Sequence, residues 1–130
     1  LHVWNEKPLG WYGVASGPVM ASAGTFWITL TGKGGHGAMP HLAVDPVVAA
    51  AQIISAAQTI SSRNVDPQHA CVVSFCSIHG GEAFNVIPHE FKMKGTIRTF
   101  EPEATEIAYK RLREIATGIG EAMGCKVDVE

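Results

Sequence analysis

The sequence has no apolar run approaching the ~20 residues that a membrane-spanning helix needs. It also has no basic stretch followed by an apolar one at its start, the mark of a secretory signal. Both absences point to a soluble protein. Ten Lys and Arg against twelve Asp and Glu give a net charge of −2, without the broad cationic footprint that nucleic acids and acidic membranes recognise. No nucleic-acid or membrane partner is expected. Cysteine is scarce and odd in number: Cys71, Cys76 and Cys125, none in a C-x-x-C pair. That argues against zinc binding or thiol redox chemistry, and the expectation is three buried, reduced thiols in a cytoplasmic setting. H-E-x-x-H, H-x-x-x-H and adjacent carboxylates are also missing. A metal wanting three or four donors therefore finds no self-contained site here.

What is present suits one compact core: 130 residues, 46% of them hydrophobic. The chain opens without Met on strand-like Leu1-His2-Val3-Trp4 and stops while residues 127–130 still alternate, so an excised piece of a longer chain is expected. Residues 1–22 carry turn chemistry (Pro8, Gly10, Gly13, Gly17, Pro18), with Trp4, Trp11 and Tyr12 among them. From Thr25 to Thr31 the alternation predicts a half-buried strand, with Phe26, Ile28 and Leu30 inward. A helix is predicted over Val44 to Ile60, capped by Asp45 with Pro46 at the first helical position. Apolar residues cover most of its circumference, and Gln52, Ser55, Thr59 and Ser62 form one narrow uncharged stripe, so cover on two sides is expected. Strands follow over residues 70–78 and 91–99, then a helix over 103–123 and a last strand through Cys125, Val127 and Val129. The order βαββαβ predicts an α+β, ferredoxin-like fold: a four-stranded antiparallel sheet with two helices on one face.

Between the first strand and the first helix stands Gly32-Lys33-Gly34-Gly35-His36-Gly37-Ala38-Met39-Pro40-His41. Its glycines would allow positive φ or a close approach to a ligand, and they would present His36, whose imidazole can donate a hydrogen bond, move a proton or bind a metal. A solvated, turn-capping histidine is the plain alternative, and His41 reads as structural. Asn85 lies in a long non-hairpin connection over residues 80–88, where it is either a turn residue or a side-chain amide that donates and accepts. Arg98 lies on the polar face of the following strand with Lys92 and Lys94, where it is either a solvated cation or a carboxylate clamp. His2 at a strand end is one metal donor without companions.

These segments, with Asp45-Pro46-Val47-Val48-Ala49-Ala50, Ser62-Arg63-Asn64, Ile78-His79-Gly80-Gly81, Ala83-Phe84-Asn85-Val86-Ile87-Pro88 and Gly95-Thr96-Ile97-Arg98-Thr99-Phe100, resemble the lid or dimerisation domain of metal-dependent amidohydrolases. That family spans hippurate hydrolases, N-acyl-amino-acid amidohydrolases and aminoacylase-like metallopeptidases. The resemblance implies a crossing segment over residues 1–22 and a lid over 23–130, inserted in a catalytic domain with divalent metals such as zinc or manganese. It implies homodimers through the Val47 to Ile60 helix and an edge strand. It further implies that His36 reaches the partner subunit's active site as an oxyanion donor, that Asn85 and Arg98 contact substrate, Arg98 at its carboxylate, and that His2 ligates metal. The parent would be a metal-dependent amidohydrolase cleaving N-acyl amino acids, the chain alone inactive and without a stably bound metal. Asn5 replaces a usual proline and His89 a common acidic residue. The rival reading is a free-standing ferredoxin-like module that binds a ligand or regulates a partner without catalysis.

Overall fold

The computed structural model describes residues 2–130. Strand β1 (Gly24–Thr31) sends Phe26, Ile28 and Leu30 into the core, all with no exposed surface. Burying three such side chains contributes about 2–3 kcal/mol each. Its neighbour β5 (Glu90–Thr99) alternates the same way: Phe91, Met93, Ile97 and Thr99 point inward and Lys92 and Lys94 outward. A two-residue strand β2 (Gly35–His36) follows β1. Helix α1 (Pro46–Ala57) begins as expected, the Asp45 carboxylate accepting from the Val47 N–H at 2.8 Å with Pro46 in the first turn. It ends earlier than its apolar pattern suggests, because the chain loosens into a π turn (Ile60–Asn64) before β3 (Cys71–His79). The short β4 (Val86–Ile87), helix α2 (Pro102–Ala122) and β6 (Lys126–Val129) complete the chain.

The main sheet has the order β3-β5-β1-β6, antiparallel at every pairing. Both helices pack on its inward face, the α+β ferredoxin-like arrangement the sequence predicts. Helix α2 meets the sheet through Ala104, Ala108, Leu112 and Ala116, buried at four-residue spacing. Small side chains there let α2 lie close: a Cβ on Gly120 would collide with Val127. On α1, Ala49, Ala50, Ile53 and Ala57 are buried, whereas Val47, Val48, Ala51, Gln52 and Ser55 face outward. Among the described residues, nothing provides the second cover expected for this helix.

Three expectations need correction. Residues 2–4 form no strand, since nothing in the described chain offers them a sheet edge; the segment to Ser22 is turns and bends, and Leu1 lies outside the described residues. Cys76 is exposed and Cys71 half-buried, so only Cys125 is a buried thiol. The cause is a β-bulge: the register of β3 on β5 shifts between Phe75 and Ser77, leaving Cys76 as the extra residue on an edge strand. Lastly, no glycine of the 32–37 loop has positive φ. Those glycines serve close approach, as the site geometry shows.

Candidate functional site

After β1 the chain is held by its own backbone. The Gly32 N–H donates to the His89 carbonyl at 2.8 Å, and Lys33 and Val44 exchange both hydrogen bonds at 3.0 and 2.9 Å. A side chain at Gly32 would strike the Val44 carbonyl, so glycine is required by proximity. The loop then pairs with the long 80–88 connection: Gly35 lies opposite Ile87 and His36 opposite Val86 in an antiparallel ribbon. The Gly37 N–H donates to the Asn85 carbonyl at 2.7 Å, and a Cβ on Gly37 would sit 2.9 Å from that oxygen. His36 and Asn85, 49 positions apart in the numbering, are thus brought together by backbone hydrogen bonds.

The imidazole of His36 is exposed and oriented. The Ala38 N–H donates to its Nδ1 at 3.0 Å, and the Met39 N–H donates to the His36 carbonyl at 2.8 Å. An Nδ1 that accepts carries no proton, so a neutral His36 bears its hydrogen on Nε2. Such a side chain is a hydrogen-bond donor aimed at whatever approaches the ribbon. Asn85 stands at the tip of a turn closed by the Val86 N–H to the Ala83 carbonyl, 3.4 Å, with a carboxamide that both donates and accepts. His41, in the exposed 3-10 turn Pro40–Leu42, takes no part.

Arg98 is elsewhere. It lies across from Val72 on the outer sheet face, partly buried, with its guanidinium on the Gly24 and Ile97 carbonyls at 3.4 and 3.3 Å. Lys92 differs, being exposed and paired with Glu90 at 2.7 Å. Since Gly24 pairs with Ile97 and Thr31 with Glu90, Arg98 and the glycine loop occupy opposite ends of β1, roughly 23 Å apart at strand rise. One small ligand cannot touch both within one chain. His2 is exposed at the far end of the 2–22 segment, its Nδ1 2.8 Å from the Val3 carbonyl, which leaves Nε2 free. Around it the segment folds a concavity lined by Trp4, Lys7, Trp11, Tyr12 and Met20. Among the described residues, no three His, Cys, Asp or Glu gather as metal ligands. The residues here therefore do not fit a metal site of their own.

Cys125, just beyond helix α2, is the buried thiol. Burial, and secondarily the Asp45 carboxylate, pushes its thiol above the usual 9.0.

Residues 21–122 match the peptidase dimerisation domain of the M20 peptidases. The chain belongs to the M20 dimerisation-domain family. The domain is 46% identical over 129 residues to the N-acetyldiaminopimelate deacetylase of Enterococcus faecalis, covering 99% of this chain and 34% of that protein. It is 40% identical over 128 residues to the N-acetylcysteine deacetylase of Bacillus subtilis, covering 98% and 34%. Among solved structures it superposes on the Bacillus subtilis YXEP protein, a dinuclear metal-binding peptidase of the M20 family. The TM-score there is 0.69 at 35% identity, covering 91% of this chain and 27% of that one. This M20 dimerisation domain thus spans about a third of the length of the curated relatives it matches. Those relatives are deacetylases of N-acetyl amino acids, not hippurate hydrolases. The sequence singles out His36 and Asn85 as candidates but does not show the ribbon that joins them. Its signal is two β-branched residues, Val86-Ile87, inside a stretch otherwise read as loop.

Proposed function

We propose that this domain is the lid of a metal-dependent amidohydrolase that removes small acyl groups from N-acyl amino acids. In this reading residues 1–22 cross from a catalytic domain, residues 23–130 form the lid, and His2 is the chain's one contribution to metal binding. The observation that supports it most is the tethered pair: His36 with Nε2 as its outward donor, fixed beside Asn85, inside a dimerisation domain.

A neutral Nε2–H suits a carbonyl oxygen that gains negative charge as an amide is attacked, and a preorganised donor stabilises that charge more than it stabilises the substrate. Asn85 binds the adjacent polar part of the substrate, and Arg98 holds the free carboxylate. Because the two ends of β1 are so far apart, a single site takes His36 and Asn85 from one protomer and Arg98 from its partner. The pairing surface is the outward side of α1, with Val47, Val48 and Ala51, continued onto the edge strand β3. Mostly uncharged side chains there match the core of an obligate interface. Divalent metal such as zinc or manganese is held by the rest of the polypeptide.

The test is hydrolysis of N-acetyl amino acids by the complete polypeptide, supplied with zinc or manganese. Release of acetate that falls at least a hundredfold in kcat with His36→Ala supports the reading. An unchanged kcat returns His36 to a turn-capping role, and no hydrolysis of any N-acyl amino acid overturns the assignment.

A further inference from the structure

Directly opposite residues of an antiparallel pair project from the same face, with Cβ atoms about 5 Å apart. His36 is opposite Val86, so one face of the β2–β4 ribbon shows an imidazole and an isopropyl group side by side. The other face shows Gly35 opposite Ile87, and Ile87 is only 9% exposed. A side chain at Gly35 would press on the Cβ of Ala43 at 3.1 Å. A one-residue slip would expose Ile87 and drive His36 inward, so the register is fixed. Val86 itself is 50% exposed, yet its β-branched side chain has few rotamers to lose. The residues next in the chain are apolar as well, the fully exposed Phe84 in the turn and Ala38 and Met39 after His36.

We infer that Val86 bounds the space taken by the acyl substituent of the substrate and so sets the acyl size this site accepts, an inference that rests on the function proposed above. A carbonyl that receives the His36 hydrogen bond has two arms. One is the amino acid, with a charged carboxylate; the other is the acyl chain. Placed against the Val86 isopropyl group, the carboxylate would lose hydration without gaining a partner, whereas a methyl or short alkyl group is stabilised there. The acyl arm therefore lies on Val86. Its bulk then discriminates by volume, and one methylene in such a contact is worth roughly tenfold or more in kcat/KM.

The experiment compares kcat/KM of the complete polypeptide on N-acetyl- and N-butyrylmethionine, with two variants of opposite volume. Val86→Ala opens the wall and should raise the butyryl-to-acetyl ratio about tenfold; Val86→Leu narrows it and should lower the ratio by a similar factor. General damage to the ribbon cannot move the ratio in opposite directions. If both variants scale the two substrates alike, or shift the ratio the same way, Val86 is not the acyl wall while the amidohydrolase reading stands. If the wild type hydrolyses neither these nor any other N-acyl amino acid, both fail together.

Discussion

The tautomer of His36 rests on a single backbone contact, the Ala38 N–H on Nδ1. In the neutral ring this leaves the proton on Nε2, a state that long-range proton–nitrogen spectra of the domain should report directly. An Nδ1–H tautomer there would remove the donor on which the proposed oxyanion role depends. The cysteines allow a second residue-scale prediction. Cys76, lifted out by its bulge, should react with a thiol reagent within seconds to minutes at pH 8, and Cys125 only after unfolding. The raised thiol of Cys125 also carries a pH dependence. The folded state binds that proton more tightly than the unfolded chain does. The stability it contributes is therefore complete below the unfolded thiol's ordinary value, near 9.0, and is lost as pH rises through the higher folded value. Cys125→Ser should flatten the decline in denaturation midpoint between pH 8 and 10; an identical slope in the variant would assign the decline to other groups.

Among the elements, β5 carries the tightest crossing. Gly95 faces inward where a Cβ would meet both the Phe26 ring and the Ser74 carbonyl. Gly95→Ala should therefore lower unfolding free energy by about 1–3 kcal/mol, measured by urea titration of the isolated domain. The sheet and both helices were legible because their information is local: alternation in Phe26, Ile28 and Leu30, four-residue spacing in α2, a cap at Asp45. The β2–β4 ribbon was not, because a two-residue strand has no periodicity, and its pairing depends on backbone contacts between residues 48 or more positions apart. The loop glycines were legible as a cluster and misread in purpose. Only packing could show that they make room for Val44 and Asn85. On α1, the outward Val47, Val48 and Ala51 make Val48→Asp a test of the proposed interface. The expected outcome is a dimer in sedimentation for the wild-type domain and a folded monomer for the variant. Loss of fold instead of loss of dimer would move that face into the monomer's own stability.

At the scale of the whole molecule, the separation of Arg98 from His36 makes the proposed site a shared one, and this can be checked by mixing. Complete chains carrying His36→Ala and chains carrying Arg98→Ala should each be nearly inactive alone. Refolded together, half the dimers are mixed, and each mixed dimer holds one intact site of two. Activity should return to about a quarter of wild type. No recovery would mean that both residues serve a site built from one chain. Within each chain, the 2.7 Å bond from Gly37 to the Asn85 carbonyl has a consequence of its own. His36 and Asn85 are not two independently mobile groups but two sides of one clasp. The backbone amides of Gly37 and its neighbours should exchange with deuterium through a single opening event. Whatever fraction of time the clasp stands open, both groups are out of place together.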